Sequence, residues 1–296
     1  MTRSLLFALL LTTTAASAHG QATGGPPIAY VKSSNSGSEI YLANEDGTGR
    51  VLAYKGSGKT SVTFIDLRPG GGEVAFSESL KLIKLQGLAS AGWPTGTART
   101  ITAACSAWAP DYHPSGDGSL IFISGCSGST FDVWRTDAGG VNPRPWFRVP
   151  GGNRVRWSRT GTYVYYQEEV PYNSGILRLR RWEVSTGNVS DFGTLTALDS
   201  FDITHDGEKL VYGSLLAPKL FNFETMADTS ESIALCDNGR NFHYSPTGSN
   251  FVYRRGANGG EFVVTSRSDC QGGPTSVTGK GSWGYLDWRP DPVTGP

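Results

Sequence analysis

Asp66, Arg156, Asp202, His243 and Asp287 occur in matching local settings. Each is followed at once by an apolar or aromatic residue (Leu67, Trp157, Ile203, Tyr244 and Trp288), and the first four lie five residues before a glycine (Gly71, Gly161, Gly207 and Gly248). Asp287 takes the same place through its Trp288-Arg289-Pro290 continuation. Alternation along a strand sends neighbouring side chains to opposite faces, so the polar set shares one face. Strands arranged around a channel would then aim three carboxylates, an imidazole and a guanidinium at its axis. Asp66, Asp202, His243 and Asp287 are suitable ligands for a divalent cation such as Ca2+ or Mn2+, and the carboxylates could act as acid and base on a bound ligand. The plainer expectation is a hydrated polar lining with no catalytic residue, because channels of this kind are wet.

Other motifs offer less chemistry. Ala53-Tyr54-Lys55-Gly56-Ser57-Gly58-Lys59-Thr60 fits a relaxed phosphate-loop pattern, but the strand-like Val62-Thr63-Phe64-Ile65 follows where a helix N-terminus is needed. There is no Gly-x-Ser-x-Gly elbow, so a serine hydrolase is not expected. His19 would become N-terminal after cleavage behind Ala18, and a copper site there needs a second well-placed histidine. Trp108, Trp157, Trp182 and Trp288 recur at repeat positions and are expected in packing, whereas Trp93, Trp146 and Trp283 lie in Gly- or Pro-rich segments and are expected to be exposed.

The elements that must position the polar set come from a repeat. Its unit is a short strand, a polar turn with Pro or Gly, and a second strand of alternating apolar residues ending in an aromatic. It is clear at 66–76, 157–166, 203–212 and 244–253. A fifth copy runs from Trp108-Ala109-Pro110 to Leu120-Ile121-Phe122-Ile123 with a longer turn. Anchored on Gly71, Gly118, Gly161, Gly207 and Gly248, the copies are 47, 43, 46 and 41 residues apart, the period of a four-stranded propeller blade. In this fifth copy the ring position falls on Ala107 by the Trp-x-Pro match or on His113 by the glycine match. Composition agrees: 39 Gly and 16 Pro with only 18% charged residues suit many short strands rather than long helices.

Leu286-Asp287-Trp288-Arg289-Pro290 opens a sixth unit whose second strand is missing at the C-terminus. Ile28-Ala29-Tyr30-Val31-Lys32 supplies that strand at the other end, and Glu39-Ile40-Tyr41-Leu42 before Asp46-Gly47-Thr48-Gly49 supplies the third. Closure by N-terminal strands leaves no open sheet edge around the ring. The expectation is an all-β, six-bladed β-propeller spanning 28–290. The Pro-and-Gly turn, the apolar-aromatic strand and the Ile-Tyr-Leu…Asp-Gly-Thr-Gly hairpin resemble the TolB-type (WD40-like, PD40) propeller repeat. That resemblance implies a non-catalytic scaffold engaging a protein or peptide partner, or a small ligand, through one face or the channel mouth. Residues 19–27 and 291–296 leave no space for the α/β domain of TolB or the hydrolase domain of related peptidases. The rival expectation is an extracellular lyase or glycosidase using Asp202 and Asp287 on a polysaccharide.

Arg3, the apolar run Leu5–Leu11 and Ala16-Ser17-Ala18 form a secretory signal over 1–18, which places the mature chain in the periplasm or outside the cell. No segment approaches the ~20 apolar residues of a membrane span. A formal charge of +0 without a basic block argues against a nucleic-acid partner. Cys105, Cys126, Cys236 and Cys270 suit disulfides in an oxidising compartment. Three connectivities are open, and the repeat register favours Cys105 with Cys126.

Overall fold

A computed structural model describes residues 28–89, 93–103, 105–126, 130–152, 154–171, 174, 176–196, 198–203, 209–214, 221–225, 228–234, 239–245, 250–255, 260–266, 275–278 and 283–288. The signal segment, residues 19–27, His19, His205, Cys236, Cys270, the tail 291–296 and the Trp283 side chain lie outside what is described.

The chain is an all-β propeller. Among the described residues the strands form six four-stranded antiparallel sheets. Five are built from four consecutive strands each. Their first strands are Val62–Leu67 (sheet 1), Ser106–Tyr112 (sheet 2), Val155–Trp157 (sheet 3), Leu198–Ile203 (sheet 4) and Gly239–Tyr244 (sheet 5). The last sheet is composite: Trp283–Trp288 from the C-terminal end pairs with Ile28–Ser34 from the start, in the register Ile28↔Trp288, Ala29↔Asp287 and Tyr30↔Leu286. This is the closure the two ends of the sequence call for. The phosphate-loop look-alike at 53–60 joins strand Val51–Lys55 to strand Val62–Leu67, with no helix between.

Apolar residues run consecutively along strands such as Ile28–Ser34, where Ile28 and Tyr30 enter one layer and Ala29 and Val31 the next, because both faces of the sheet pack against neighbouring sheets, and the core is split accordingly. Ile28, Tyr30, Phe262, Leu286 and Trp288 fill one inter-sheet layer, and Val31, Ile40, Leu67, Val74 and Phe76 fill the next. Further round, Ala75, Ile83, Leu120 and Phe122 form a third layer.

The first turns of sheets 1, 2 and 3 repeat one hydrogen-bond pattern. The amide of Gly71 donates to Arg68 O, that of Gly116 to His113 O and that of Gly161 to Ser158 O. All three glycines have positive φ (85°, 72° and 71°), a region where a Cβ is strained. The anchor glycine of sheet 2 is therefore Gly116, not Gly118. Sheet 2 closes its turn from His113 N to Ser119 O, one residue longer than Arg68 N to Glu73 O or Ser158 N to Tyr163 O. Counted back from the second strand, Gly118 stands in the place of Gly72 and not of Gly71. The Cys105–Cys126 disulfide forms at the far end of the same hairpin, one step beyond the Ser106↔Gly125 pair.

Candidate functional site

The first strands of the sheets face the axis, and the residue before each buried apolar neighbour turns inward. Asp66, Arg156, Asp202, His243 and Asp287 do converge as the repeat register requires, and the sixth member is Asp111. Neither Ala107 nor His113 takes that place. Ala107 is buried in the inter-sheet core, and His113 sits in the turn with its ring edge-on to Trp157 at 4.6 Å. Asp111-Tyr112-His113-Pro114-Ser115-Gly116 copies Asp66-Leu67-Arg68-Pro69-Gly70-Gly71 position for position. The signal was present, but Trp108-Ala109-Pro110 imitates the Trp288-Arg289-Pro290 of the last unit four residues too early.

The aspartates share one structural task. Asp287 Oδ2 accepts from Leu67 N at 2.8 Å, Asp66 Oδ2 from Tyr112 N at 2.6 Å, Asp111 Oδ2 from Trp157 N at 2.5 Å and Asp202 Oδ2 from Tyr244 N at 2.8 Å. Each carboxylate thus holds the first strand of the following sheet by a buried, charge-assisted hydrogen bond.

The remaining oxygens face Arg156. Its Nη1 lies 2.8 Å from Asp111 Oδ1 and 3.3 Å from Asp66 Oδ1, its Nη2 3.6 Å from Asp287 Oδ1, and its Nε 4.0 Å from Asp202 Oδ1. Nη2 is also 2.7 Å from His243 Nδ1. One side chain from sheet 3 therefore touches the ring residue of every other sheet. Burial acts against its charge, but Asp111, Asp202, Asp287 and Asp66 together raise its pKa above the ordinary value.

The other titrations follow from crowding. Burial, then Asp287 and Asp111, push Asp66 well up. Burial lifts Asp111 to about 6 against the pull of Arg156. For Asp287 burial is outweighed by the His243 hydrogen bond and the Arg156 charge, and its pKa is lowered. Burial and Arg156 lower His243, which favours a neutral ring.

The guanidinium divides the channel. On the turn side an open mouth with a cavity of about 40 Å³ is lined by Pro69, Tyr112, Pro114, Trp157, Arg159 and Trp288 above the ring. On the other side Phe64, Ala109, Arg154, Tyr285 and Leu286 line a small space with room for about one water. Trp157 continues outward from the mouth into Trp146 and Trp182, with ring centroids 5.7 Å and 6.4 Å apart along that chain. Trp146 is consequently part-buried in packing and not an exposed ring, whereas Trp93 is 61% exposed as its Gly- and Pro-rich setting suggests.

A closed cycle of sheets around a polar channel defines a β-propeller. No family model and no curated protein matches the chain. Solved structures do. TolB from Acinetobacter baumannii aligns with a TM-score of 0.71 at 16% identity, covering 89% of this chain and 66% of that one. The chain thus spans just under two thirds of the length of that TolB. The TolB candidate from Agrobacterium tumefaciens gives 0.63 at 13%, covering 88% and 99%. An oligogalacturonate lyase in complex with manganese gives 0.55 at 10%, covering 80% and 76%. At such identities the likeness establishes the fold, and on that level the resemblance to TolB-type repeats holds. As 1186 solved chains match, the fold by itself selects no activity.

The manganese of the lyase prompts a test of the expected cation ligands Asp66, Asp202, His243 and Asp287. Among the described residues no three His, Cys, Asp or Glu side chains are grouped to hold a metal ion. The positive charge among these carboxylates is the Arg156 guanidinium, which stands among the carboxylate oxygens where a cation would have to sit.

Proposed function

We propose that the chain is a non-catalytic, six-bladed propeller scaffold of the periplasm or cell exterior that binds a protein or peptide on the face carrying the Pro-Gly turns. In this reading residues 28–290 form the propeller, 1–18 are a removed signal, and 19–27 and 291–296 are short flanking segments. The observation that carries it is the commitment of the ring: every carboxylate spends one oxygen on a backbone N–H of the next sheet and turns the other toward Arg156. A lyase or glycosidase needs a carboxylate or base free to meet its substrate.

Three further observations support the reading. Trp93, Val141 and Val189 are 61%, 49% and 49% exposed in the hairpins joining third and fourth strands, on the same face as the Pro-Gly turns. The Cys105–Cys126 disulfide suits an oxidising compartment. Among the described residues no helix is long and apolar enough to cross a membrane. A photo-crosslinking residue placed at Val141 should give one discrete protein adduct in the native cells, while the same residue at Leu80, on the opposite face, should not. Depolymerisation of a polysaccharide by the purified protein, abolished by Asp202→Asn, would overturn the scaffold in favour of the enzyme.

A further inference from the structure

The face opposite the Pro-Gly turns carries a charge and an apolar tip that the fold does not use. Three segments meet there: the hairpin between Ile28–Ser34 and Gly37–Ala43, the connection 56–61, and the hairpin between Glu73–Glu78 and Leu82–Leu88. Backbone hydrogen bonds stitch them into one surface, with Ser38 N donating to Thr60 O, Gly56 N to Ser38 O and Ser79 N to Ser61 O. Ala107 N of sheet 2 ties in the last hairpin by donating to Lys81 O.

The tip of that hairpin is strained. Lys81 N donates to Glu78 O across Ser79 and Leu80, which hold φ values of 56° and 53°. Positive φ at both central positions is the hairpin turn normally built from Asn and Gly, and a leucine is disfavoured there. Leu80 is nevertheless 47% exposed and Leu82 42%, so packing does little to offset the backbone cost. Strain kept at a surface points to a task outside the fold. Lysines surround the tip. Lys55 pairs with Glu39 at 3.3 Å and Lys84 with Glu78 at 2.7 Å, while Lys32, Lys59 and Lys81 are exposed with no ion pair among the described residues. These five lysines against two glutamates leave three positive charges in surplus, on a chain whose formal charge is +0. Residues 34–37 and 56–61 otherwise hold only Ser, Asn, Gly and Thr.

We propose that this surface docks on an anionic lipid bilayer, Leu80 and Leu82 entering the boundary between headgroups and acyl chains while the lysines meet the lipid phosphates. Apolar side chains ringed by basic ones hold such a boundary by two effects together, burial of apolar area and attraction to anionic lipid. The core of a protein interface is instead poor in lysine and wider than two neighbouring leucines. A bilayer also leaves no discrete protein adduct at Leu80. The surface lies opposite the proposed protein-binding face, and the two readings stand or fall independently.

The probe is a phosphatidylcholine vesicle containing about one-third phosphatidylglycerol, used in flotation with the chain from residue 19 onward, so that the apolar run Leu5–Leu11 is absent. Binding is expected to these vesicles and not to pure phosphatidylcholine, and it should weaken as salt rises from ~0.05 M to ~0.5 M. Leu80→Asn is the decisive variant. Asparagine suits the left-handed backbone, so the melting temperature should not fall, yet affinity for the anionic vesicles should drop about tenfold. Lys59→Glu together with Lys81→Glu should weaken binding by more than about tenfold, since each reversal removes an attraction and adds a repulsion. No binding to the anionic vesicles, equal binding to pure phosphatidylcholine, or undiminished binding by Leu80→Asn would overturn the proposal. The last result, with retention on heparin lost in the lysine variant, would mean that a soluble polyanion meets this face instead. Cross-linking at Val141 should be unaffected by Leu80→Asn.

Discussion

Sheets 1, 2 and 4 and the composite sheet place an aspartate at the ring position and use it alike, holding the next sheet through a backbone amide. Sheets 3 and 5 place Arg156 and His243 there instead. The aspartates are the repeating part, and repetition concentrates four carboxylates within reach of one another. The two departures relieve that crowding: Arg156 supplies positive charge to all four, and His243 adds a neutral ring where a fifth carboxylate would stand. A propeller built only from the common unit would store like-charge repulsion at its axis.

Breaking the difference at its centre should have the largest effect. Arg156→Met leaves four buried carboxylates without their counter-charge, and urea unfolding at neutral pH should show a loss of about 3–5 kcal/mol. Removing one member of the repeated set should cost less. Asp111→Ala strands the Trp157 amide and removes the nearest carboxylate of Arg156, a loss of about 1–3 kcal/mol by the same measurement.

Acidity sharpens the comparison. Asp111 is raised to about 6, so the folded state holds its proton more tightly than the unfolded chain, whose aspartates titrate near ~3.9. The unfavourable contribution of its charged form is present above the folded pKa and relieved as pH falls through it. Relative to Asp111→Asn, the unaltered protein should therefore gain stability on acidification from neutrality toward pH ~4. His243, whose pKa is lowered, works the other way, losing stability below its unfolded value near ~6.5, but it is common to both proteins and cancels to first order in their difference. A difference that is flat with pH would contradict the burial of a crowded Asp111.

The turns should show the smallest effects. Gly161→Ala combines positive φ with a Cβ 2.7 Å from His113 Nε2, whereas Gly72→Ala, at φ +85°, meets nothing within 4 Å. Thermal melts should place the first at about 2 kcal/mol and the second at about 1 kcal/mol.

The repeat, the closing strands and five of the six ring positions were legible because each rests on local spacing: alternation, a turn glycine, an aromatic neighbour. Asp111 was hidden by one added residue in its turn and by Trp108-Ala109-Pro110, a local match at the wrong register. Arg154 was hidden by counting one inward residue per strand, although Arg154-Val155-Arg156 alternates as two inward positions must. The division of the channel could not be read in the same way. It depends on how far one long side chain reaches across the axis, and that distance is set by the ring as a whole.

The central claim is that Arg156 acts as the shared counter-charge of a structural ring. A double-mutant cycle between Arg156→Met and Asp111→Asn, read by urea unfolding at neutral pH, tests it most directly. The account predicts strong coupling, with the double variant more stable than Arg156→Met alone because one uncompensated carboxylate has been removed. Additive losses would mean that Arg156 does not neutralise Asp111, and the ring would have to be explained without it.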